Sequence, residues 1–279
     1  MPELPEVEAV ARTLRPLVTG QRIVCCRVLH PIAVRPQSAA TLCRNLSGRR
    51  IRAVERRGKY LLLQLDRGCV TLYFRLDGQL LWFRNSAELD AKSNEARNGV
   101  HVDVALVLSN GVLGLVDRRH FGRVNYWAGE GDCPGLAALR IDALSPEFSA
   151  ERFARLLANS SQPVKEFLLN QARVAGIGNI YSSEALWHAR IHPRRRARHL
   201  RPAEALRLHK AIVSVLRRAL ECCLDPKPDF RDPSWWFQGL EKILRAYGRE
   251  GKPCHRCGVP IRRMQQNLRS TYFCGRCQK

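Results

Sequence analysis

The sequence predicts an α+β protein of several domains: an N-terminal β-sandwich with an N-terminal helix, a helical domain, and a C-terminal zinc-finger β-hairpin. From Arg22 to about Trp127, short β-branched or aromatic runs alternate with turns. Beyond Ser145, apolar residues recur at helical spacing, and the chain closes with two Cys-x2-Cys pairs. The predicted domains are residues 1–131, 132–224 and 252–279, joined by a connecting or lid region at 225–251.

Composition indicates a folded protein with an anionic partner. The 279 residues are 45% hydrophobic, enough for a core, and 47 basic residues against 25 acidic ones give a formal net charge of +22. No apolar run approaches the roughly 20 residues that span a bilayer. The amino end also lacks the basic start and apolar run of a signal peptide. We therefore expect a cytoplasmic protein with no membrane partner, whose scattered cysteines are buried thiols.

The amino end places a secondary amine beside carboxylates. Once the initiator methionine is removed, Pro2 is a free amine, and an α-amino group ordinarily has a pKa of about 7.7–8.0, so it can act as a nucleophile. Pro5 suits the first turn of a helix, with Glu6 and Glu8 near its positive end. Ordinary helix-start chemistry explains those three residues, but it does not explain Pro2 and Glu3. The predicted buried stripe of this helix is Leu4, Val7, Val10 or Ala11, and Leu14.

Two turn signals in the first half predict β-hairpins. Asp77-Gly78 and Asn110-Gly111 each separate two strand-like runs. The predicted strands are Ile51–Val54, Tyr60–Leu65, Cys69–Leu76, Gln79–Phe83, Val102–Leu108 and Val112–Val116.

Lys59 and the arginine-containing loop Asp117–Gly122 each have both a functional and a structural interpretation. Lys59 stands at a strand entrance, where a lysine is usually solvated, but flanking arginines imply an anionic neighbour. In the loop Asp117–Gly122, Arg119 and Phe121 could fill the gap left by an extruded base. The alternative is a basic surface loop with Phe121 in the core.

In the helical half, a tight turn runs through Gly176, Gly178 and Asn179. A dinucleotide-binding loop is disfavoured, because the third glycine is missing and no strand is predicted before it. We expect instead that exposed amides and the Asn179 side chain hold a phosphate at a helix start. Close helix packing without a ligand is the alternative. The basic run Arg194–Arg198 is either solvated or attracted to backbone phosphates.

The C-terminal cysteines predict one metal ion. Cys254, Cys257, Cys274 and Cys277 form two Cys-x2-Cys pairs at the spacing of two facing knuckles. Tetrahedral Zn²⁺ is the favoured ligand, and a disulfide or redox pair is the alternative. Four filled positions leave no site for water, so the zinc is expected to be structural.

Together these motifs resemble the formamidopyrimidine-DNA glycosylase family, in order along essentially the whole chain. The matching stretches include Pro2–Glu8, Lys59–Leu62, the Asp117–Gly122 loop and the helix-two-turn-helix turn Gly176–Glu184. The resemblance implies catalytic roles for Pro2, Glu3, Glu6, Lys59 and Arg269. It implies DNA contacts for Leu76, Arg119, Phe121, Asn179 and Arg269. Glu184 matches a family glutamate, either a contact to the flipped base or an ordinary helix residue.

The resemblance implies a bifunctional DNA glycosylase and abasic-site lyase that excises oxidised purines, 8-oxoguanine and formamidopyrimidines, from damaged double-stranded DNA. Pro2 would form a Schiff base, with β,δ-elimination following, and we expect a monomer. Leu4 resembles the purine-directed branch. The alternatives are an endonuclease VIII-like glycosylase for oxidised pyrimidines and a non-catalytic damaged-DNA-binding paralogue, which a retained Met1 would favour. A zinc-dependent hydrolase is disfavoured by the closed four-cysteine site.

Two positions depart from the family pattern. Gly99 stands where the family has a DNA-contacting histidine, and Arg118 replaces a proline of the family's Asp-Pro-Arg-Arg-Phe-Gly loop. The cluster Trp235-Trp236-Phe237 is interpreted either as a lid or as an anchor for the last module.

Overall fold

The computed structural model describes residues 2–93, 100–225, 229–232 and 239–279. The predictions for Met1, Gly99 and the Trp235–Phe237 cluster lie outside them. The chain divides into two compact units. The first takes in residues 1–2, 6–137 and 223–238, and the second takes in 3–5, 138–222 and 239–279. The division predicted from the sequence, with boundaries after residues 131, 224 and 251, stays a prediction.

The first unit begins with an amphipathic helix and continues mostly as strands. Its elements are α1 (Leu4–Val18, whose first two residues are counted in the second unit), β1 (Ile23–Val28), a 3₁₀ helix (Pro31–Val34), α2 (Ala39–Leu46), β2 (Ile51–Arg57), β3 (Tyr60–Leu65), β4 (Cys69–Tyr73), β5 (Gln79–Phe83), α3 (Ser86–Ser93), β6 (Val102–Leu108), β7 (Val112–Val116), β8 (Arg123–Trp127), a 3₁₀ helix (Glu130–Asp132) and α4 (Pro134–Ala137).

Helix α1 confirms the predicted stripe, because all five of its residues are fully buried. The opposite face is polar. Glu8 accepts hydrogen bonds from Arg12 on the same helix and from Arg56 on β2, each at 2.8 Å. The role of Glu8 is therefore to tie α1 to the strand beneath it.

The strands form two four-stranded antiparallel sheets, in agreement with the predicted β-sandwich. Their orders are β1-β6-β7-β5 and β2-β3-β4-β8. The Asn110-Gly111 prediction is confirmed, because β6 and β7 pair as a hairpin across it. Gly111 has a φ of +97°, and a Cβ there would lie 2.3 Å from the Trp82 ring, so the turn needs glycine.

The Asp77-Gly78 hairpin prediction is wrong. Strand β4 ends at Tyr73 and pairs with β3 and β8, whereas β5 pairs with β7 in the other sheet. The Gly78 N–H donates to the Phe74 carbonyl, so residues 74–78 form a turn that crosses between sheets. Asp-Gly marks a chain reversal, but the pairing of each strand was decided by partners distant in sequence.

The second unit is helical with a short parallel pair and a C-terminal hairpin. Its elements are β9 (Ile141–Asp142), α5 (Ala150–Ala158), α6 (Val164–Leu169), β10 (Val174–Ala175), α7 (Asn179–Ala189), a 3₁₀ helix (Ala197–His199), α8 (Pro202–Leu224, whose last two residues are counted in the first unit), α9 (Leu240–Ile243), β11 (Arg262–Gln266) and β12 (Arg269–Phe273).

Strand β10 corrects the expectation that no strand precedes the Gly176 turn. Its two residues pair in parallel with β9. A pair this short has no periodicity to detect in the sequence. Helices α5 and α6 contribute Phe153 and Phe167, both fully buried, to the core of this unit. Among the residues that the structure describes, no helix is both long and apolar enough to cross a membrane.

Candidate active site

The start of helix α7 holds the carboxylate of Glu3. Its Oε2 accepts from the Gly178 N–H at 2.7 Å and from the Tyr181 N–H at 3.4 Å, and its Oε1 accepts from the Ile180 N–H at 2.9 Å. Glu3 is fully buried. The N–H groups and the helix dipole together stabilise negative charge on this carboxylate.

This contact corrects the expectation that the same amides hold a phosphate. The sequence pattern predicts that these backbone N–H groups are free to bind a ligand. In the folded chain they donate instead to the carboxylate of Glu3. The physical principle was right, since an anion lies at the helix start. The identity of the anion could not be read locally, because Glu3 is 175 residues from Gly178.

Gly176 brings the amino end to this position. The Leu4 N–H donates to the Gly176 carbonyl at 3.1 Å. Gly176 has a φ of +97°, and a Cβ there would lie 2.4 Å from Leu4 Cδ1. The glycine is therefore required both by its backbone conformation and by the close approach of Leu4.

Asn179 and Lys165 meet the C-terminal hairpin. The Asn179 side-chain amide donates to the Ser270 carbonyl at 3.0 Å, and its Oδ1 is buried without a hydrogen-bond partner in the described part of the chain. Lys165 Nζ donates to the same carbonyl at 3.0 Å and to Thr271 Oγ1 at 2.7 Å. These contacts fix the strand that begins with Arg269, whose own side chain is exposed beside the hairpin turn.

Lys165 is a residue that the sequence analysis missed. Burial lowers its pKa to about 7, although the charge of Glu3 opposes that shift and the charge of Arg269 adds to it. The position of Lys165 in the chain could have pointed to its burial, because it lies in the short helix Val164–Leu169 beside residues that are buried. A cation there, paired only with neutral oxygens in the described structure, is poised to change its charge near neutral pH.

Glu184 is a structural residue here. It is 1% exposed and accepts backbone N–H groups of Arg245, Ala246 and Tyr247 at 2.7–2.8 Å. Burial raises the pKa of this carboxyl, and the three N–H donors act in the opposite direction. Of the two interpretations of Glu184, the base contact is therefore not what the structure shows.

In the first unit, Lys59 and Glu6 are buried. Lys59 is 7% exposed and lies in the turn between β2 and β3, and Glu6 is fully buried on α1. The interpretation of Lys59 as a solvated lysine is therefore wrong. Pro2 is buried as well.

The loop between β7 and β8 presents Arg119 and Phe121 at the surface. The Asp117 carboxylate accepts the backbone N–H groups of Arg119, Phe121 and Gly122 at 2.7–2.9 Å, which fixes the loop backbone. The Arg119 guanidinium lies 4.8 Å from the centre of the Phe121 ring. Phe121 is 41% exposed, so the alternative of a core phenylalanine is wrong. In the turn after β4, Leu76 is half-buried.

The C-terminal cysteines are arranged to hold one structural zinc ion. Their four sulfur atoms lie within 4.8 Å of one another, and Cys257 Sγ lies 3.5 Å from Cys274 Sγ. Burial acts to raise the pKa of Cys254, but the surrounding hydrogen bonds, that from the backbone N–H of Arg256 first among them, outweigh it and lower the pKa to about 6. At Cys254 these donors favour the thiolate that zinc requires, whereas burial raises the pKa of Cys274 and Cys277 in the absence of a metal charge.

Comparison with known proteins decides the family. Three family models match: the formamidopyrimidine-DNA glycosylase N-terminal domain over residues 1–124, the formamidopyrimidine-DNA glycosylase H2TH domain over residues 139–225, and the zinc finger found in FPG and IleRS over residues 251–279. The chain belongs to the formamidopyrimidine-DNA glycosylase family. Formamidopyrimidine-DNA glycosylases are enzymes of base excision repair, and abasic-site lyase activity is characteristic of the family.

Relatives in this family match over the full length of the chain. The formamidopyrimidine-DNA glycosylase of Symbiobacterium thermophilum is 42% identical, with 100% of this chain and 89% of the relative covered. That of Moorella thermoacetica is 40% identical, with 95% of each covered. A complex of Lactococcus lactis Fpg with abasic-site DNA has a TM-score of 0.86 at 28% identity, covering 99% of both chains. Its complex with N7-benzyl-Fapy-dG DNA also scores 0.86, at 29% identity, covering 100% of both.

Proposed function

We propose that this protein removes oxidised purines from duplex DNA and cuts the strand at the resulting abasic site. The observation that carries the proposal is the anchoring of Glu3 on the three amides of Gly178, Ile180 and Tyr181. Pro2 is its chain neighbour, so the anchor restricts the position of the terminal amine to the reach of one residue. Such positioning lowers the barrier to attack, because the entropy of bringing the reacting groups together is already lost.

The chemistry divides into two stages. With Met1 removed, the Pro2 nitrogen attacks the sugar C1′, the bond from C1′ to the base breaks, and the base leaves with the electron pair and takes up a proton. The first product is an aminal, whose C1′–O4′ bond then breaks as O4′ takes up a proton. This opens the sugar ring and leaves an iminium at C1′, which acts as an electron sink. Loss of a C2′ proton then breaks the C3′–O bond, and a second elimination breaks the C5′–O bond, which leaves a gap with phosphate ends.

Each predicted residue has a role in this scheme. Glu3 acts as the acid/base at the sugar and, as a carboxylate, stabilises the cationic iminium, while Glu6 helps to position the terminus. Lys59 contacts phosphate and assists proton transfer. Asn179 and Arg269 grip the backbone next to the lesion, and Arg269 supplies a late proton. Leu76, Arg119 and Phe121 fill the space left by the flipped nucleotide. Lys165, which ties α6 to the hairpin, keeps Arg269 in place.

Oxidised purines are the preferred lesions in this proposal. The relatives named above are formamidopyrimidine-DNA glycosylases, and a related Lactococcus lactis protein is solved with a Fapy-dG analogue. Leu4, the residue at the position that resembles the purine-directed branch, is fully buried against Gly176. The protein acts on DNA as a monomer, and its net charge of +22 supplies the attraction to phosphates.

Borohydride trapping tests the proposal directly. Wild-type protein mixed with an abasic-site duplex should form a covalent adduct, and Pro2→Gly with a blocked terminus should not. A panel of duplexes with 8-oxoguanine, formamidopyrimidine, thymine glycol and dihydrouracil then ranks the bases, and thymine glycol in first place would support the pyrimidine branch instead. An intact mass that includes Met1, together with no adduct from wild type, would refute the enzymatic scheme and favour a non-catalytic DNA-binding protein.

A further inference from the structure

Three side chains from distant parts of the first unit converge beside the Arg119–Phe121 loop. His30 follows β1, Asp103 lies on β6, and His120 lies in the loop itself. Each offers one ligand atom, and these atoms all lie within 4.8 Å of one another. Backbone contacts hold them together, because the N–H groups of Leu29 and His30 both donate to the Asp103 carbonyl, at 2.9 Å and 3.1 Å.

The carboxylate at the centre of this cluster is only partly satisfied. Asp103 is fully buried, and its Oδ1 lies 2.6 Å from His120 Nδ1. Its Oδ2 is buried with no hydrogen-bond partner among the described residues. Burial raises the pKa of Asp103, which the contact with His120 only partly offsets. A buried oxygen without a donor is costly, and a cation would remove that cost.

The two histidines are accessible from solvent. The His120 side chain is 30% exposed, and the centre of its ring lies 4.1 Å from that of His30. The neighbouring charges are the Asp117 carboxylate, the Arg123 guanidinium, which donates to the carbonyls of the loop, and the guanidiniums of Arg75 and Arg35, which act on Arg123. The attraction for a cation therefore comes from the Asp103 carboxylate and the two imidazoles themselves and not from the surrounding charges.

Two imidazoles and one carboxylate are the donor set of a borderline divalent metal ion. Zinc bonds of about 2.0–2.1 Å to nitrogen or oxygen place tetrahedral ligands roughly 3.3 Å apart. Asp103 Oδ1 and His120 Nδ1, at 2.6 Å, are closer than this, and all the ligand atoms lie within 4.8 Å of one another, so rotations of the half-exposed His30 and His120 about the fixed Asp103 can bring the three atoms to tetrahedral separations. Ca²⁺ and Mg²⁺ are disfavoured, since they select oxygen ligands.

We propose that His30, Asp103 and His120 form a second, three-ligand Zn²⁺ site that fixes the loop carrying Arg119 and Phe121. His120 has a φ of +53°, an uncommon conformation for a residue with a side chain, which a metal bond would help to hold. The site is separate from the four-cysteine site in sequence and in ligand chemistry. His120 stands where the family's Asp-Pro-Arg-Arg-Phe-Gly pattern has its second arginine.

Zinc titration of the full-length protein tests this proposal without reference to DNA. After mild chelation that leaves the four-cysteine zinc in place, calorimetry with ZnCl₂ should show one further equivalent per chain. His120→Asn should lose this binding event, because asparagine tolerates a positive φ but supplies no imidazole. His30→Gln should lose it as well.

The matched control is His101→Gln. The His101 ring centre lies 6.5 Å from that of His120, so this variant removes a nearby imidazole outside the cluster and should retain the second equivalent. Co²⁺ provides a second probe, since binding at the proposed site must add no thiolate charge-transfer band. A single zinc in wild-type protein, an undiminished second equivalent in His120→Asn with normal folding, or a thiolate band would each overturn the proposal.

Discussion

The backbone N–H of Gly178 donates a 2.7 Å hydrogen bond to the carboxylate of Glu3, 175 residues away in the sequence. The contact joins the amino end to the start of α7. It converts a tail residue into a fully buried anion with defined geometry.

Glu3→Gln should impair both stability and chemistry. The amide NH₂ cannot accept a hydrogen bond, so at least one of the three N–H groups at the start of α7 loses its partner, at a cost of about 1–3 kcal/mol in the free energy of unfolding. Borohydride trapping should fall by roughly 100-fold or more, since a positioned acid/base contributes at least that much. Urea denaturation and adduct yield measure the two effects. Glu147→Gln, at an exposed position, is the control and should leave both unchanged.

Gly176→Ala should be more destabilising than a glycine-to-alanine substitution that strains only the backbone. It combines a φ of +97° with a Cβ 2.4 Å from Leu4. We expect a loss of about 3 kcal/mol, from backbone strain and overpacking together. Gly248→Ala is matched in strain, with a φ of +69° and no atom within 4 Å, and should lose only roughly 1 kcal/mol. Equal losses would show that Leu4 does not pack closely on this turn.

Lys165→Met should change how stability depends on pH. Burial lowers the pKa of Lys165 from 10.5 to about 7, so between these values the unfolded chain binds more protons than the folded one. The wild-type free energy of unfolding should therefore rise relative to the variant as pH increases from 7 to 10, by at most about 1.4 kcal/mol per pH unit. Below pH 7 the difference should be flat.

Denaturation at a series of pH values measures this effect. Lys210→Met, which removes an exposed lysine from α8, should give a profile parallel to that of wild type. A parallel profile for Lys165→Met would mean that Lys165 keeps its ordinary pKa in the folded protein.

Cys277→Ser should remove the chelation-resistant zinc and loosen the β11–β12 hairpin. Since Arg269 begins β12, affinity for an abasic-site duplex should fall by about tenfold or more. Zinc content, thermal melting and fluorescence anisotropy measure the three effects. Cys25→Ser, which alters an exposed thiol of the first unit, should keep the zinc and the affinity. Full zinc retention by Cys277→Ser would exclude that cysteine as a ligand.

Arg119→Ala and Arg118→Ala should distinguish insertion of the Arg119 side chain at a lesion from the general attraction of a cation to the DNA phosphates. Each removes one exposed cation from the same loop, so their effects on binding to undamaged DNA should be similar. On an abasic-site duplex, Arg119→Ala should lose roughly tenfold more affinity, because Arg119 stacks on Phe121 and, in the proposed scheme, contacts the unpaired base. Affinities over a range of salt concentrations make the comparison. Equal losses on both duplexes would assign Arg119 to backbone attraction alone.

The sequence by itself determined several features that depend only on neighbouring residues. The α1 stripe follows from a 3.6-residue period, the Asn110-Gly111 hairpin from turn chemistry, and the zinc knuckles from cysteine spacing. The adjacency of Pro2 and Glu3 needs no folding at all. In each case the information lies within a few residues, where local backbone geometry decides the outcome.

The tertiary structure decided which distant groups meet. It supplied Glu3 as the anion of α7, gave Glu184 to the backbone of residues 245–247, and placed β4 and β5 in different sheets. It buried Lys165 against the hairpin and brought His30, Asp103 and His120 together. These pairings depend on chain closure over long separations and on the cost of leaving buried polar groups without partners. That balance is set by the whole fold, and no local pattern contains it.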